Sequence, residues 1–93
     1  MNFIDLFNAV AQIAKPMQKN EVFATSLDDK FADIGIDSLD TIMLIMYMSE
    51  LYGIEEAVSK EWAPQTVREL HDLVMANKKQ EPESVESAVE KIK

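Results

Sequence analysis

The chain has 93 residues, 47% of them hydrophobic, with two glycines, three prolines and no cysteine. That length makes one small domain with a thin core, burying roughly 60% of the surface its unfolded chain exposes. The absence of cysteine excludes a disulfide framework, a thiolate metal site and a cysteine nucleophile, and a formal net charge of −8 works against nucleic acid and anionic membrane, both of which bind through Lys and Arg.

A basic protein surface is the natural partner of such a chain. The opening MNFIDLFNAV lacks the basic start of a signal peptide. No apolar run approaches the length needed to span a bilayer. The cytoplasm is therefore the expected compartment.

The first helix is expected over residues 2–14. Phe3, Ile4, Phe7, Val10, Ala11 and Ala14 recur at helical spacing. Asn2 with Asp5 resembles a capping box, and Pro16 stops the helix. Residues 15–37 show no sustained period. A connection of that length in a small domain is usually functional or disordered, and the scattered Val22, Phe23, Leu27, Phe31 and Ile34 predict a loop tied onto the core.

A second helix is predicted over 38–52, ending at Gly53, where a C′ glycine belongs. Leu44, Met48 and Tyr52 form its inner line, but Ile42, Met43, Ile45, Met46 and Tyr47 carry the apolar surface around most of the cylinder. A domain this small cannot bury every face of one helix, so part of it must be exposed or lie against a partner. A short helical turn follows in EEAVSKEW, residues 55–62. Thr66 and Glu69 then open a last helix with a capping box, its stripe built from Val67, Leu70 and Val74. Residues 79–93 are read as a charged, mostly mobile tail beyond a domain of residues 1–78. A strand reading fails for want of alternation and hairpin turns. The fold class is thus all-α, a small four-helix bundle with a long first loop, expected as a monomer.

The stretch GIDSLD, residues 35–40, places Ser38 at the mouth of the long helix. Serine is a common cap, but Asp37 and Asp40 already fit that role as a capping box. A catalytic serine needs a base, and the sole histidine, His71, flanks the stripe of the last helix. No G-x-S-x-G elbow is present. The aspartates between 28 and 40 misplace both ligands and glycine for a calcium loop, so no metal site is predicted. Met43 and Met46 read either as core fillers or as an adaptable contact surface.

Taken together, a first helix, a long loop, Asp37-Ser38-Leu39 opening a second helix, a short third and a capped fourth resemble an acyl carrier protein. The resemblance covers about residues 2–77. It implies a non-catalytic carrier whose Ser38 takes a phosphopantetheine arm from a phosphopantetheinyl transferase, with Asp37 and Leu39 beside the attachment point. The arm's thiol then holds an acyl chain as a thioester for a ketosynthase, acyltransferase or acyl-loading enzyme. A phosphodiester there would sit at a helix N-terminus, which favours negative charge. An apolar interior could shelter the acyl tail, at about 0.8 kcal/mol per buried CH₂.

The outer face of the second helix departs from the family's row of glutamates. It reads Ile42, Met43, Met46 and Ser49, with Asp40 and Glu50 at its ends. This greasier face predicts a specialised carrier, for a secondary metabolite, an unusual lipid or a polyketide, rather than the general carrier of fatty acid synthesis. Partner binding is assigned to Asp40, Ile42, Met43, Met46 and Glu50, with Glu55 and Glu56 adding to an acidic field. A peptidyl or aminoacyl carrier, and an unmodified helical adaptor, are the alternative readings.

Overall fold

The computed structural model describes residues 2–18 and 22–93. Five α-helices run in chain order: α1, Phe3–Ala14; α2, Ser38–Tyr52; α3, Glu56–Ser59; α4, Val67–Asn77; and α5, Val85–Ile92. The described residues contain no strand, and the small all-α bundle matches the sequence reading.

Four of the five helices, all but α3, begin where a polar side chain meets free N–H groups. Asn2 accepts the Ile4 N–H at 2.7 Å, a simpler cap than the expected box with Asp5. Thr66 accepts the Glu69 N–H at 3.1 Å, while Glu69 reaches back to the Gln65 N–H at 2.7 Å, one residue earlier than in an ordinary box. Gly53 closes α2 at φ +67, a left-handed conformation that disfavours any other residue.

The core lies around α2, which packs against α1, α3, α4 and α5. Leu6, Phe7, Val10 and Ala11 of α1 meet Leu44, Met48, Leu51 and Tyr52 of α2 and Val67, Leu70 and Val74 of α4 in one buried cluster. The lines expected on α2 and α4 are buried; on α1 Leu6 joins Phe7, Val10 and Ala11 in the core, while Phe3 and Ile4 are only partly buried.

The long first connection is tied down as expected. Residues 19–21 of it lie outside the described residues. Phe23, Ala24, Phe31 and Ile36 are buried, Leu27 and Ile34 partly so, and Val22 is exposed. Asn8 of α1 clamps Ala24 at both ends, donating to its carbonyl at 2.9 Å and accepting its N–H at 2.8 Å. Three further backbone bonds sew the loop to the start of α4: Phe31 N–H to Gln65 O, Val67 N–H to Asp29 O and Arg68 N–H to Leu27 O. A loop so held aims residues 35–37 at the start of α2.

The C-terminal segment corrects the sequence reading. Residues 79–93 were expected as mostly mobile chain, yet α5 packs on α1 and α2. Ala88 is 1% exposed, and Val85 and Ile92 lie against the core. The narrow stripe suffices because α1 and α2 supply the other wall. Ser84 caps α5 by accepting the Ser87 N–H at 3.0 Å. The segment before it finishes α2: the N–H groups of Lys79 and Gln80 both donate to the Tyr52 carbonyl, and the Gln80 side chain donates to the Leu51 carbonyl at 3.3 Å. Carbonyls that a helix end leaves unmet are thus satisfied from the tail. Truncation after Lys78 is therefore expected to lower the melting temperature, by about 8–16 °C for a loss of about 2 kcal/mol. Ala88→Asp, which buries an unpaired charge, should cost at least about 2 kcal/mol. Thermal unfolding followed by circular dichroism measures both; unchanged melting in both variants would show that α5 contributes nothing.

Candidate functional site

Ser38 is the first residue of α2, and its side chain is exposed. The chain arrives there through a short 3-10 turn, Phe31–Ile34, ended by Gly35 at φ +78. That left-handed turn reverses the backbone, buries Ile36 and leaves Asp37 and Ser38 outside. Asp37 takes the cap: its Oδ1 accepts the Asp40 N–H at 2.8 Å, and Asp40 Oδ2 accepts the Asp37 N–H at 3.2 Å. The reciprocal pair frees the Ser38 hydroxyl from capping.

Asp40 does more than cap. Its Oδ2 also receives the Lys15 ammonium at 2.8 Å, and the residue is 8% exposed. Burial by itself raises the Asp40 pKa. The hydrogen bond from Lys15, the Asp37 N–H and the Lys15 charge together outweigh it and hold the carboxyl below its ordinary 3.8. Asp40 therefore belongs to the scaffold and not to the partner face to which the sequence reading assigned it. Its partner, 25 residues away in sequence, was invisible to local pattern.

Leu39, Ile42 and Met46 are exposed, at 65%, 55% and 64%, and they share one face of α2 at i, i+3 and i+7. Met43 is half-buried and Glu50 exposed. The apolar outer face is thus real, with Leu39 a full member of it. The acidic field is thinner than expected. Asp40 is paired with Lys15, and Glu55 lies 3.4 Å from Lys79, whereas Asp37, Glu50 and Glu56 are exposed. His71 lies apart, edge-on to Phe3 at 4.9 Å.

Two clefts lie along α2. One is lined by Gly35, Asp37, Ser38, Thr41 and Pro64. The other, of ≈ 490 Å³, lies between α2 and α3 and is lined by Met46, Ser49, Ile54 and Ser59. Both share Ile42, Ile45 and Trp62, so the two meet along one line of side chains.

The family profile for the phosphopantetheine attachment site matches residues 6–74. The chain belongs to the acyl carrier protein family. It is similar to acyl carrier protein SF2, chloroplastic, of Brassica campestris, with 43% identity over 47 residues, 50% of this chain and 35% of that protein. It is also similar to acyl carrier protein 2, chloroplastic, of Arabidopsis thaliana, with 34% identity over 64 residues, 69% of this chain and 47% of that protein. The chain thus spans less than half the length of either relative. Their names place them in the chloroplast, a compartment other than the cytoplasm expected here. No solved structure matches.

The cofactor of the family is phosphopantetheine held covalently on a serine. The residues here fit that group: an exposed primary hydroxyl at the first position of a 15-residue helix, not consumed as a cap, beside a cleft that can lodge a flexible arm. An anion attached there gains from the helix dipole.

In this carrier Asp37→Ala should cost about 0.5–2 kcal/mol. The lowered pKa of Asp40 has a definite sign. Its stabilising contribution is present above 3.8 and is lost as pH falls through the lowered value, because the unfolded chain binds that proton first. Asp40→Asn should therefore melt below wild type at neutral pH, with the gap closing as pH drops below 3.8. Thermal melts across that range check this; a gap independent of pH would remove the ion pair from its role.

Proposed function

We propose that the chain tethers acyl intermediates as thioesters on a phosphopantetheine arm at Ser38 and delivers them to enzymes of fatty-acid, polyketide or related lipid biosynthesis. The observation that carries this reading is the exposed Ser38 hydroxyl, left free by the Asp37–Asp40 box at the head of a cleft-lined helix. The chain acts as carrier, not catalyst. A transferase supplies the arm, and ketosynthases, acyltransferases or acyl-loading enzymes receive the cargo. The proposed setting is the cytoplasm. Between transfers the acyl tail lies in the apolar cleft between α2 and α3, each buried CH₂ contributing about 0.8 kcal/mol.

Co-expression with a phosphopantetheinyl transferase should add the mass of one arm, and Ser38→Ala should abolish the gain while folding normally. Intact-mass spectrometry reads both; an arm still taken up by that variant places the attachment elsewhere.

The partner face joins Leu39, Ile42 and Met46 to the exposed Glu50. Buried apolar side chains are worth up to about 1.5–3 kcal/mol each, more than a rim charge pair. Exposed charges act on encounter and are screened over about 8–10 Å at physiological salt. Met46→Glu should thus raise the off-rate from a cognate ketosynthase, whereas Glu50→Gln should lower the on-rate in a salt-dependent way. Stopped-flow binding at two ionic strengths separates the two; full binding by Met46→Glu would exclude the apolar contact.

A further inference from the structure

The cleft between α2 and α3 holds one polar group that the bundle does not use. Ser49 is 6% exposed and lines the cleft with Ile45, Met46, Ile54 and Trp62. Its Oγ is buried and has no hydrogen-bond partner among the described residues. Buried hydroxyls are ordinarily paired, and an unmet one is costly. An alanine at this helical position would fold better and leave the cleft wholly apolar, the surface that best suits a plain hydrocarbon. The serine makes sense if something entering the cleft brings an oxygen to it.

We propose that the cleft selects an acyl chain that itself carries oxygen, a 3-oxo or hydroxy acyl group, and that the Ser49 hydroxyl hydrogen-bonds to that oxygen. This rests on the reading that the acyl chain lodges between α2 and α3. Ser49 lies eleven residues beyond Ser38, about 16 Å along the helix. Ser38 lines only the first cleft and Ser49 only the second. An oxygen met by Ser49 is thus distal to the phosphate. A serine hydroxyl moves among three staggered positions, so it can turn to a guest without movement of α2. The remaining wall is apolar apart from the buried Ser59 and the rim residues Glu50, Glu56 and Lys60, so a guest oxygen elsewhere along the chain finds little to bond.

The test loads the arm-bearing protein with three groups of equal chain length: a saturated acyl, its 3-oxo analogue and its 3-hydroxy analogue. The measurements are the rate of thioester hydrolysis and amide chemical shifts of residues 42–62, for wild type and Ser49→Ala. In wild type the saturated chain should perturb the cleft, and at least one oxygenated chain should be protected further, by about fivefold over its own value in Ser49→Ala, the worth of one net hydrogen bond. In Ser49→Ala the saturated chain should be protected as in wild type. Equal protection of all three chains in both proteins would overturn the proposal and leave lodging in the cleft intact. No shift at residues 42–62 for any chain would overturn the lodging itself. A Ser49 shift produced by the unloaded arm, and unchanged by any cargo, would assign the hydroxyl to an amide of the arm and overturn the acyl selection. Ser49→Ala without cargo should melt at or above wild type, since it removes an unmet polar group.

Discussion

The Asp40 carboxylate joins three parts of the chain at one point. A single oxygen accepts the Lys15 ammonium from the end of α1 and the Asp37 N–H from the end of the long loop, while the Asp40 N–H returns to Asp37. The start of α2, the end of α1 and the arriving loop therefore hold a common position. Were this junction loose, Ser38 would sit on a fraying turn, and the line from tether to cleft would lose its fixed direction. Within the low-dielectric setting of a buried carboxylate such bonds are strong when fully met, and here each is met.

From that junction the organisation of the molecule follows. α2 acts as an axle: one side enters the core, and the other carries the exposed Leu39, Ile42 and Met46, of which Ile42 and Met46 also line the clefts. The other helices pack around the first side. The tail, through Lys79 and Gln80, closes the far end of the axle and α5 covers the seam between α1 and α2. An arm anchored at one end of such an axle has a fixed track beside it. The short α3, four residues long, forms the opposite wall and carries little packing of its own, which suits a wall that must part for a guest.

The polar groups divide into those whose hydrogen bonds hold the scaffold and those left unspent. Asn8, Asp29, Asp40 and Thr66 spend their bonds on loop and helix ends. Ser38 is outside and unspent, and Ser49 is inside and unspent. Among the described residues Ser49 Oγ is the buried side-chain polar atom left without a hydrogen-bond partner, and Ser38 and Ser49 are the hydroxyls to which the proposals above assign tether and cargo.

The sequence alone determined the helical periods, the Asp37 cap, the glycine that ends α2 and the serine in Asp37-Ser38-Leu39, because each depends on residues within one or two turns of one another. It also required that α2 keep an exposed apolar face, since the domain is too small to bury every face of that helix. Only the tertiary structure decided which acids stand free: Asp40 reads as a surface charge until Lys15, 25 residues away, is placed against it. The same holds for α5, whose narrow stripe is too weak for an isolated helix and becomes stable against α1 and α2. It holds for Ser49 too, read from the sequence as part of the outer face of α2 and found 6% exposed in the cleft it shares with Ser59 and Trp62. Local signals set the elements and the tether; contacts between residues far apart in the chain set burial, and burial decides what each polar group is for.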